Sequence, residues 1–487
     1  MKSLLLLFLL LPLLAPAQPG GLTLEAAIAE ALGESAIAQQ ASTDRETAYW
    51  AWRGYQANYR PQLGLQGTVP NFSRVILPVV QPDGTTDFRA VRLNNSNLGL
   101  SLSQNLGLTG GQVFVGSEVQ RFDDFNGNLK RYNNQPFTLG FVQPLGQFNG
   151  LRWARRIEPL RYQESQRQYV EARETIAQRV AELYFDMLLQ QVTADVAGQN
   201  ALATAEMLRL GQERLALGRL SQSDLLQLEL NLLNARQAQA QATIETENAA
   251  VSLQAYTGRT AAETPRLTVP AAAPPAATPA AASALPALAL AQARQNRSTT
   301  LAFQRRLLLA EREVALARGT TGFQATLTAN LGYVNQAENL SNTYLNLQNQ
   351  QQVRLAFALP LIDWGRQRAI VRTAQLTRDQ EQRNVAQEQR TFEQIVVVQA
   401  GQMAALGQQL ALAARADTLA QRRYAIAQAT YAVGRISLTD LTIAQAAKDG
   451  ARRGYMLALR AGWVAHFRLR ALTLFDFERQ MPLLTGS

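Results

Sequence analysis

Cysteine is absent from all 487 residues of this chain, and histidine occurs only once, as His466. Without cysteine there can be no disulfides, thiolate nucleophiles, thiolate metal ligands or lipid anchor on an N-terminal cysteine. One imidazole cannot build a histidine-based triad or a multi-histidine metal site within a chain. The sequence also lacks a zinc-protease helix motif, a nucleophile elbow and a phosphate-binding glycine loop. We therefore expect no enzyme activity, no cofactor and no metal.

Lysine is scarce as well, although the chain is basic. The formal net charge is +10, and the lysines are Lys2, Lys130 and Lys448, so nearly all of the positive charge is arginine. The arginines are spread through helical stretches among glutamine and glutamate, whereas a nucleic-acid footprint is a dense basic patch with stacking aromatics. This distribution favours a solvated helix surface and argues against nucleic acid as a partner.

Long apolar runs are missing after the first residues. Lys2, an apolar run at residues 4–14 and the small-residue site Ala15-Pro16-Ala17 have the pattern of a secretory signal peptide. We predict a signal peptide at residues 1–17 and a mature chain beginning at Gln18. No later run approaches the roughly 20 apolar residues of a membrane helix. The chain is expected to leave the cytoplasm and to cross any membrane with strands.

What the chain does contain is one unit used twice. Residues 217–225 (LGRLSQSDL) recur as residues 433–441 (VGRISLTDL), and residues 141–145 (FVQPL) recur as residues 357–361 (FALPL). In both halves 74 positions separate the proline of the second motif from the glycine of the first. Few residues in these intervals break a helix, so each can hold a helix of roughly 70 residues, about 100 Å long. Helices of this length suggest a protein that spans a long distance.

Hydrophobic periodicity divides each repeat into the same series of segments. Ile176, Val180, Leu183 and Met187 have the spacing of a coiled-coil seam. The first repeat, 18–258, is predicted to hold a helix at 22–59, strands at 62–145, a long helix at 150–217 and a returning helix at 221–256. After an Ala/Pro-rich linker at 259–286, the second repeat, 287–487, is predicted to hold a helix at 287–318, strands at 323–361, a long helix at 365–432 and a returning helix at 437–474.

The predicted strands alternate apolar residues with small or polar ones, as in residues 323–333 (FQATLTANLGY). This is the period of a barrel strand that faces lipid on one side and water on the other. A sheet with one face on a soluble core has the same period. The secretory signal and the lack of another apolar partner for these strands favour the barrel. The first half has the longer strand region, 62–143 against 324–359, and its surplus is either an additional barrel hairpin or an external loop folded on itself.

These features together resemble the TolC family of outer-membrane efflux and secretion ducts, over essentially the whole mature chain. Further marks are LTLEAAI at residues 22–28 and Asp363-Trp364-Gly365. The resemblance implies a fold that is mainly α with a transmembrane β-barrel portion. It also implies a homotrimer, in which strands of three chains close one β-barrel in the outer membrane and twelve helices form an α-barrel across the periplasm.

The resemblance also implies functional positions. The two glycine turns would be periplasmic tips where the helical hairpin of an adaptor protein docks, although the same residue types make any good helix turn. The tip residues are Leu217, Gly218, Arg219, Leu220, Ser221, Val433, Gly434, Arg435, Ile436 and Ser437.

A periplasmic gate is implied beside these tips. Asp440 matches an aspartate that forms an acidic ring, and Asp224 and Tyr431 match a pair that holds neighbouring helices shut by a hydrogen bond. Asp440 equally suits the first turn of a helix through the dipole. The chain departs from the family pattern at Ile443, where a second aspartate is expected, and its arginine is shifted to position 435.

The predicted function is that of a trimeric outer-membrane channel in a tripartite efflux system. It would passively conduct substrates from a periplasmic adaptor and an inner-membrane pump to the exterior. Its partners would be two further copies of the chain, the adaptor, the pump and outer-membrane lipid. The alternatives are the duct of a type I protein secretion system and, from another class, a periplasmic coiled-coil scaffold without a pore. A scaffold would need one helical hairpin and compact β-domains, not two long-helix units each preceded by membrane-like strands.

Overall fold

The computed structural model describes residues 21–218, 220–259, 264–270 and 279–486. The predicted signal peptide and the tip residue Arg219 lie outside these ranges. The helices are α1 (Leu24–Glu34), α2 (Ala36–Ala57), α3 (Gly150–Ala216), α4 (Gln222–Thr257), α5 (Pro279–Asn296), α6 (Ser298–Thr321), α7 (Arg366–Ala432) and α8 (Leu438–Thr473). The strands are β1 (Gln62–Thr68), β2 (Phe72–Val80), β3 (Thr86–Leu106), β4 (Gly111–Asp124), β5 (Leu129–Leu145), β6 (Gln324–Ala337), β7 (Gln348–Ala358), β8 (Phe475–Asp476) and β9 (Met481–Pro482).

The chain divides into two compact units, and the division falls within α2, α3 and α7. We call them the helical unit and the sheet unit. The helical unit comprises Met1–Ser42, Val170–Asn296 and Ile395–Ser487, and the sheet unit comprises Thr43–Tyr169 and Arg297–Gln394.

Two pairs of helices have equal lengths. Helices α3 and α7 have 67 residues each, and α4 and α8 have 36 each. At 1.5 Å per residue, a 67-residue helix is about 100 Å long. A single helix of this length is held by side-chain packing along its face rather than by helix propensity.

The core of the helical unit lies along the predicted seam. Ile176, Val180 and Met187 of α3 are buried there, and Leu183 packs against them. α1, α4 and α8 supply Leu24, Leu253 and Leu459 to the same cluster. Burial of each large apolar side chain contributes about 1.5–3 kcal/mol. The seam therefore packs α1, near the start of the chain, and α8, near its end, against α3 and α4 from the middle of the chain.

Helix α7 contains an 18-residue window with a mean hydropathy of 1.3, which is enough for a membrane span by length and composition alone. Every 18-residue stretch of α7 includes glutamine. In the helical unit Val396, Ala400 and Met403 of this helix are buried. The apolar character of α7 therefore fits its packing against other helices.

Both of the predicted single helices that precede strands are interrupted. The helix predicted at 22–59 divides at Ser35, which adopts an extended conformation and whose hydroxyl accepts a hydrogen bond from the Ala38 backbone N–H, so that it caps α2. The helix predicted at 287–318 divides at Arg297, which is also extended. A buried Asn296 at the end of α5 donates from its Nδ2 to the Thr473 carbonyl at 3.4 Å. These tertiary and capping contacts outweigh the continuous helical periodicity.

The predicted linker at 259–286 is also partly wrong, because α5 begins within it at Pro279. Proline suits the first position of a helix, where its missing N–H would have no partner. The residues that follow are rich in alanine, which has the highest helix propensity. The alanine content therefore makes the last part of the segment helical.

The large sheet is antiparallel, in the order β1-β3-β4-β5-β6-β7, and β2 also pairs with β3. Because β1 pairs with one half of β3 and β2 with the other, the seven strands occupy six positions. Residues 93–106 of β3 also pair with β4. The surplus of the first strand region therefore has two parts. β3 and β4 form an additional hairpin within the sheet, whereas the β2–β3 hairpin extends past the end of β4 as a two-stranded ribbon.

One face of this sheet is apolar and exposed. Leu63, Leu102, Val115, Leu139 and Leu331 are successive register partners, so they form one row across five neighbouring strands. Each of them is exposed. The edge strands β1 and β7 are exposed at every residue. An apolar surface of this extent marks a site of interaction with a protein or a membrane.

Candidate functional site: the paired helix turns

Two tight turns reverse the chain between the long helices and the returning helices. Gly218 has φ of +66° and Gly434 has φ of +77°, in the left-handed region that favours glycine. The Gly218 N–H donates to the Leu215 carbonyl, and the Gly434 N–H donates to the Tyr431 carbonyl, each at 2.9 Å. These bonds satisfy carbonyl groups that the ends of α3 and α7 would otherwise leave unpaired.

Serine and aspartate then begin the returning helices. The hydroxyls of Ser221 and Ser437 accept hydrogen bonds from the backbone N–H groups of Asp224 and Asp440, both at 3.1 Å. The same hydroxyls donate to the aspartate carboxylates at 2.6 and 2.7 Å. In α8 the Ser437 N–H also donates to the Asp440 carboxylate, which completes a capping box. These bonds from Ser437 hold the pKa of Asp440 below its usual value.

An apolar cluster lies directly behind the two turns. Leu228 of α4 and Leu441 of α8 are fully buried in it. Leu220 from the first turn and Ile436 from the second pack against the same cluster. The structure therefore brings the two sequence motifs side by side, although more than two hundred positions separate them.

An arginine also joins the two turns. Arg214, in the last turn of α3, donates from its guanidinium to the Ala432 carbonyl at 2.9 Å. Its guanidinium carbon lies 5.4 Å from the ring centre of Tyr431. The positive charge therefore sits at the carboxyl ends of both α3 and α7, where the helix dipole favours a cation.

The outermost residues of the turns are exposed. Leu217 is 69% exposed and Val433 is 68% exposed, at equivalent positions. A Cβ added to Gly218 or Gly434 would meet no atom within 4 Å. Arg435 and the two capping serines are exposed as well. The turns thus present an exposed surface with an apolar residue at each apex.

The three predicted gate residues all lie at this end of the helical unit. Asp224 and Asp440 occupy the third position of their helices, and Tyr431 packs against the apolar cluster. In the described part of this single chain, the hydrogen bonds of Asp224 are with Ser221 and not with Tyr431. Ile443, where the family pattern has an aspartate, is exposed. Pairing of Asp224 with Tyr431 stays a prediction for the assembled protein.

A groove near the turns, lined by both polar and apolar side chains, has no counterpart in the sequence predictions. It measures about 410 Å³ and lies between α3, α4 and α8. Asn200 donates to the Asp449 carboxylate at 2.6 Å, and the Lys448 ammonium lies 3.4 Å from the other Asn200 side-chain atom, Oδ1. The Lys448 ammonium also lies 4.5 Å from the centre of the Tyr424 ring. In the sequence, the one indication of this group of side chains was Lys448, because the other positively charged residues of these helices are arginine.

Among the described residues, no group of three or more histidine, aspartate or glutamate residues could hold a metal ion. His466 is buried beside Trp463 and Phe467 of α8. Burial, with a contribution from the charge of Arg470, lowers the pKa of His466 to about 4. The imidazole is therefore neutral at physiological pH and is part of the packing.

Part of the chain matches the model of a known protein family. Residues 92–259 match the model of the outer membrane efflux protein family. No curated protein matches the chain in sequence.

Solved structures resemble this chain over 92% of its length. The CusC channel is 18% identical, with a TM-score of 0.63 over 91% of its own chain. The CmeC outer membrane channel of Campylobacter jejuni is 16% identical, with a TM-score of 0.64 over 85%. The VceC outer membrane protein of Vibrio cholerae is 16% identical, with a TM-score of 0.63 over 96%. At these identities the likeness establishes the fold, a mainly helical chain with a sheet.

Proposed function

We propose, from the membership of this chain in the outer membrane efflux protein family through residues 92–259, that three copies of it form a channel across the outer membrane. The TolC-family resemblance of the sequence motifs is confirmed by this match and by the fold. The observation that carries the channel proposal is the exposed apolar row of the sheet, because such a row needs either lipid or protein against it. A secreted chain with lipid-facing strands fits the outer membrane.

Closure of the sheet between copies is part of the proposal. β1 and β7 are the edge strands, and open edges do not persist in a membrane because their backbone groups would lack partners. With six strand positions, β1 and β7 run in opposite directions, so β1 of one copy can pair with β7 of the next in an antiparallel ladder. Three copies would close about 18 strands, a number that leaves a water-filled interior.

Passive conduction is the proposed mechanism. The long helices α3 and α7 would carry the conduit into the periplasm, and the energy would come from an inner-membrane pump. We propose efflux rather than protein secretion because the matching family is that of efflux proteins. If the chain were instead a periplasmic coiled-coil scaffold without a pore, the apolar row of the sheet would have no lipid to contact.

The paired turns are proposed as the adaptor-docking tips. Leu217 and Val433 are the exposed apolar anchors for the helical hairpin of the adaptor, and Arg435 contributes a positive charge beside them. The cluster behind the turns holds this surface in place. Partners of this kind recognise preformed helix faces through a few apolar anchor residues.

A conductance measurement tests the channel. The purified full chain in a planar bilayer is expected to give discrete current steps, and in detergent it should run as a trimer. Leu100→Arg places a charge on the apolar face and should prevent insertion, since such a charge costs about 2–4 kcal/mol at mid-membrane. The matched variant Ser101→Arg changes the opposite face of β3 and should still insert. A freely soluble monomer without conductance would contradict the proposal.

Asp440 is proposed to form an acidic ring where three copies meet. A ring of carboxylates binds cations in a narrow channel, so Asp440→Asn should weaken the block of current by divalent cations about 10-fold or more. Ser437→Ala is the matched control, because it removes the capping hydroxyl and keeps the carboxylate. If Asp440→Asn leaves the block unchanged, Asp440 serves only as a helix cap.

A further inference from the structure

Several arginines lie where the helices of the sheet unit adjoin the strands. Arg318 is in the last turn of α6, six residues before β6 begins. Arg366, Arg368 and Arg372 are in the first two turns of α7, shortly after β7. All four are exposed. In the sequence they are two separate groups, and the fold brings them to one end of the sheet.

Three of these arginines line a single groove of about 630 Å³ between α6 and α7. We call it the arginine groove, and its lining residues are Arg318, Thr321, Gln367, Arg368, Val371, Arg372 and Gln375. The lining has no carboxylate. Its polar side chains besides arginine, those of Thr321, Gln367 and Gln375, can all donate hydrogen bonds. The groove therefore has the charge and the donors of an anion site.

One carboxylate, that of Asp363, interacts with Arg368 of the groove, and it offsets only part of the charge of the three lining arginines. Asp363 accepts hydrogen bonds from the N–H groups of Gly365 and Gln367, at 3.0 and 2.8 Å. These bonds hold the pKa of Asp363 below its usual value. Within α7 the first acidic residue is Asp379, which comes after Arg372 and Arg378.

Helix stability does not explain these arginines. Cations in the first turn of a helix oppose its dipole. The returning helices follow the usual rule, because α4 and α8 have Asp224 and Asp440 in their first turns. Helix α7 has no acidic residue in its first turn and begins with two arginines instead. Asp363, just before α7, offsets part of this positive charge, and a ligand with negative charge would offset the rest.

The surroundings of the arginine groove indicate which anion it meets. Between β7 and α7 the chain exposes Leu361, Ile362 and Trp364, of which Trp364 is 96% exposed. Exposed tryptophan beside an apolar strand face is typical of the membrane–water boundary. Arginine near such a boundary extends its guanidinium towards the lipid headgroups.

We propose that the arginine groove binds the phosphate headgroup of an anionic phospholipid, in the leaflet next to the helices. This inference rests on the proposed membrane channel. The guanidinium groups of Arg318, Arg368 and Arg372 match phosphate oxygens in two-pronged hydrogen bonds. The acyl chains lie along Leu361, Ile362 and the apolar strands. Free phosphate lacks these chains and gains only the polar part of the interaction.

Lipid binding to the purified full-length trimer in detergent tests the proposal. Native mass spectrometry would count bound phosphatidylglycerol, phosphatidylcholine and inorganic phosphate. The unmodified chain should bind phosphatidylglycerol more tightly than either of the others. In the triple variant Arg318→Gln, Arg368→Gln, Arg372→Gln, the affinity for phosphatidylglycerol should fall about 100-fold, a factor of roughly five per arginine.

The matched control removes the same charge from another part of α7. Arg415, Arg422 and Arg423 are exposed, and their replacement by glutamine should leave phosphatidylglycerol binding unchanged. Equal loss in both triple variants would overturn the site and leave only a general charge effect. Equal binding of phosphatidylglycerol and phosphatidylcholine, or equally tight binding of inorganic phosphate, would also overturn it.

Bilayer conductance separates this inference from the channel proposal. If the arginine groove variant conducts normally and binds phosphatidylglycerol as before, the lipid site is wrong and the channel stands. If the unmodified chain inserts into no bilayer, with or without phosphatidylglycerol, the channel proposal and the lipid site both fall.

Discussion

Gly434→Pro is expected to abolish efflux while the trimer stays in the outer membrane, and Gly218→Pro is expected to do the same. Proline holds φ near −65° and cannot adopt the +77° or +66° of these positions. It also removes the N–H that donates to the carbonyl three residues earlier. The change distorts the tips and leaves the 67-residue helices and the sheet in place. Drug tolerance of cells that depend on this chain measures efflux, and heat-labile migration in detergent measures the trimer.

Alanine variants give the control for these glycines. At Gly434 an added Cβ has open space, so Gly434→Ala meets only the backbone strain of about 1–2 kcal/mol and should keep part of the efflux. Gly401 lies inside α7 with equally open space and ordinary helical geometry. Gly401→Ala should therefore be neutral or stabilising by about 0.5–1 kcal/mol. Normal drug tolerance in cells that carry Gly434→Pro would contradict the proposed docking of an adaptor at the turns.

Arg470→Met should be among the most destabilising single substitutions in the helical unit. The Arg470 guanidinium bonds to both carboxylate oxygens of Glu174, at 2.9 and 3.1 Å. It also donates to Asp476 at 3.0 Å. All three side chains are largely buried. The variant therefore leaves Glu174 without its ion-pair partner and leaves Asp476 with only the N–H groups of Glu478 and Arg479. The expected loss is about 3–5 kcal/mol, measured as the shift of thermal unfolding of the purified protein in detergent.

Arg209 provides the matched control, because it also pairs with two carboxylates. Its partners Glu206 and Glu213 lie about one turn before it and one turn after it on α3, and more than half of each of the three side chains is exposed. Exposed ion pairs contribute about 0–1 kcal/mol, so Arg209→Met should cost little. If both variants lose the same stability, the buried network around Arg470 does not hold α8 to α3 in the way its geometry indicates.

The two helix turns could be predicted from sequence because their geometry is local. A glycine that reverses the chain, a serine that caps and an aspartate three residues later interact within a few positions of one another. The interruption at Arg297 could not be predicted in this way. Arg297 is neither glycine nor proline, and its side chain makes no capping bond. The buried Asn296, whose amide bonds to the carbonyl of Thr473 on α8, has no local signature.

The strands also combine a feature that the sequence predicts with one that only the tertiary structure decides. Alternation in the sequence predicts a strand with one apolar face, but it is equally compatible with a sheet strand and with a folded external loop. The pairing of β3 with β2 over one part and β4 over another part decides that the first half contributes four strand positions. Because pairing depends on the neighbouring strand, periodicity within β3 carries no information about it.

By itself, the sequence determined the lengths of the long helices, the two capped turns, the alternation of the strands and the exclusion of cysteine and histidine chemistry. Each of these depends on residue types or on contacts within a turn or two of the chain. The tertiary structure alone decided that Leu220 and Ile436 share one cluster, that six strand positions form one sheet and that Arg318 faces the same groove as Arg368. These contacts join distant positions, and their free energy arises only when packing brings those residues together.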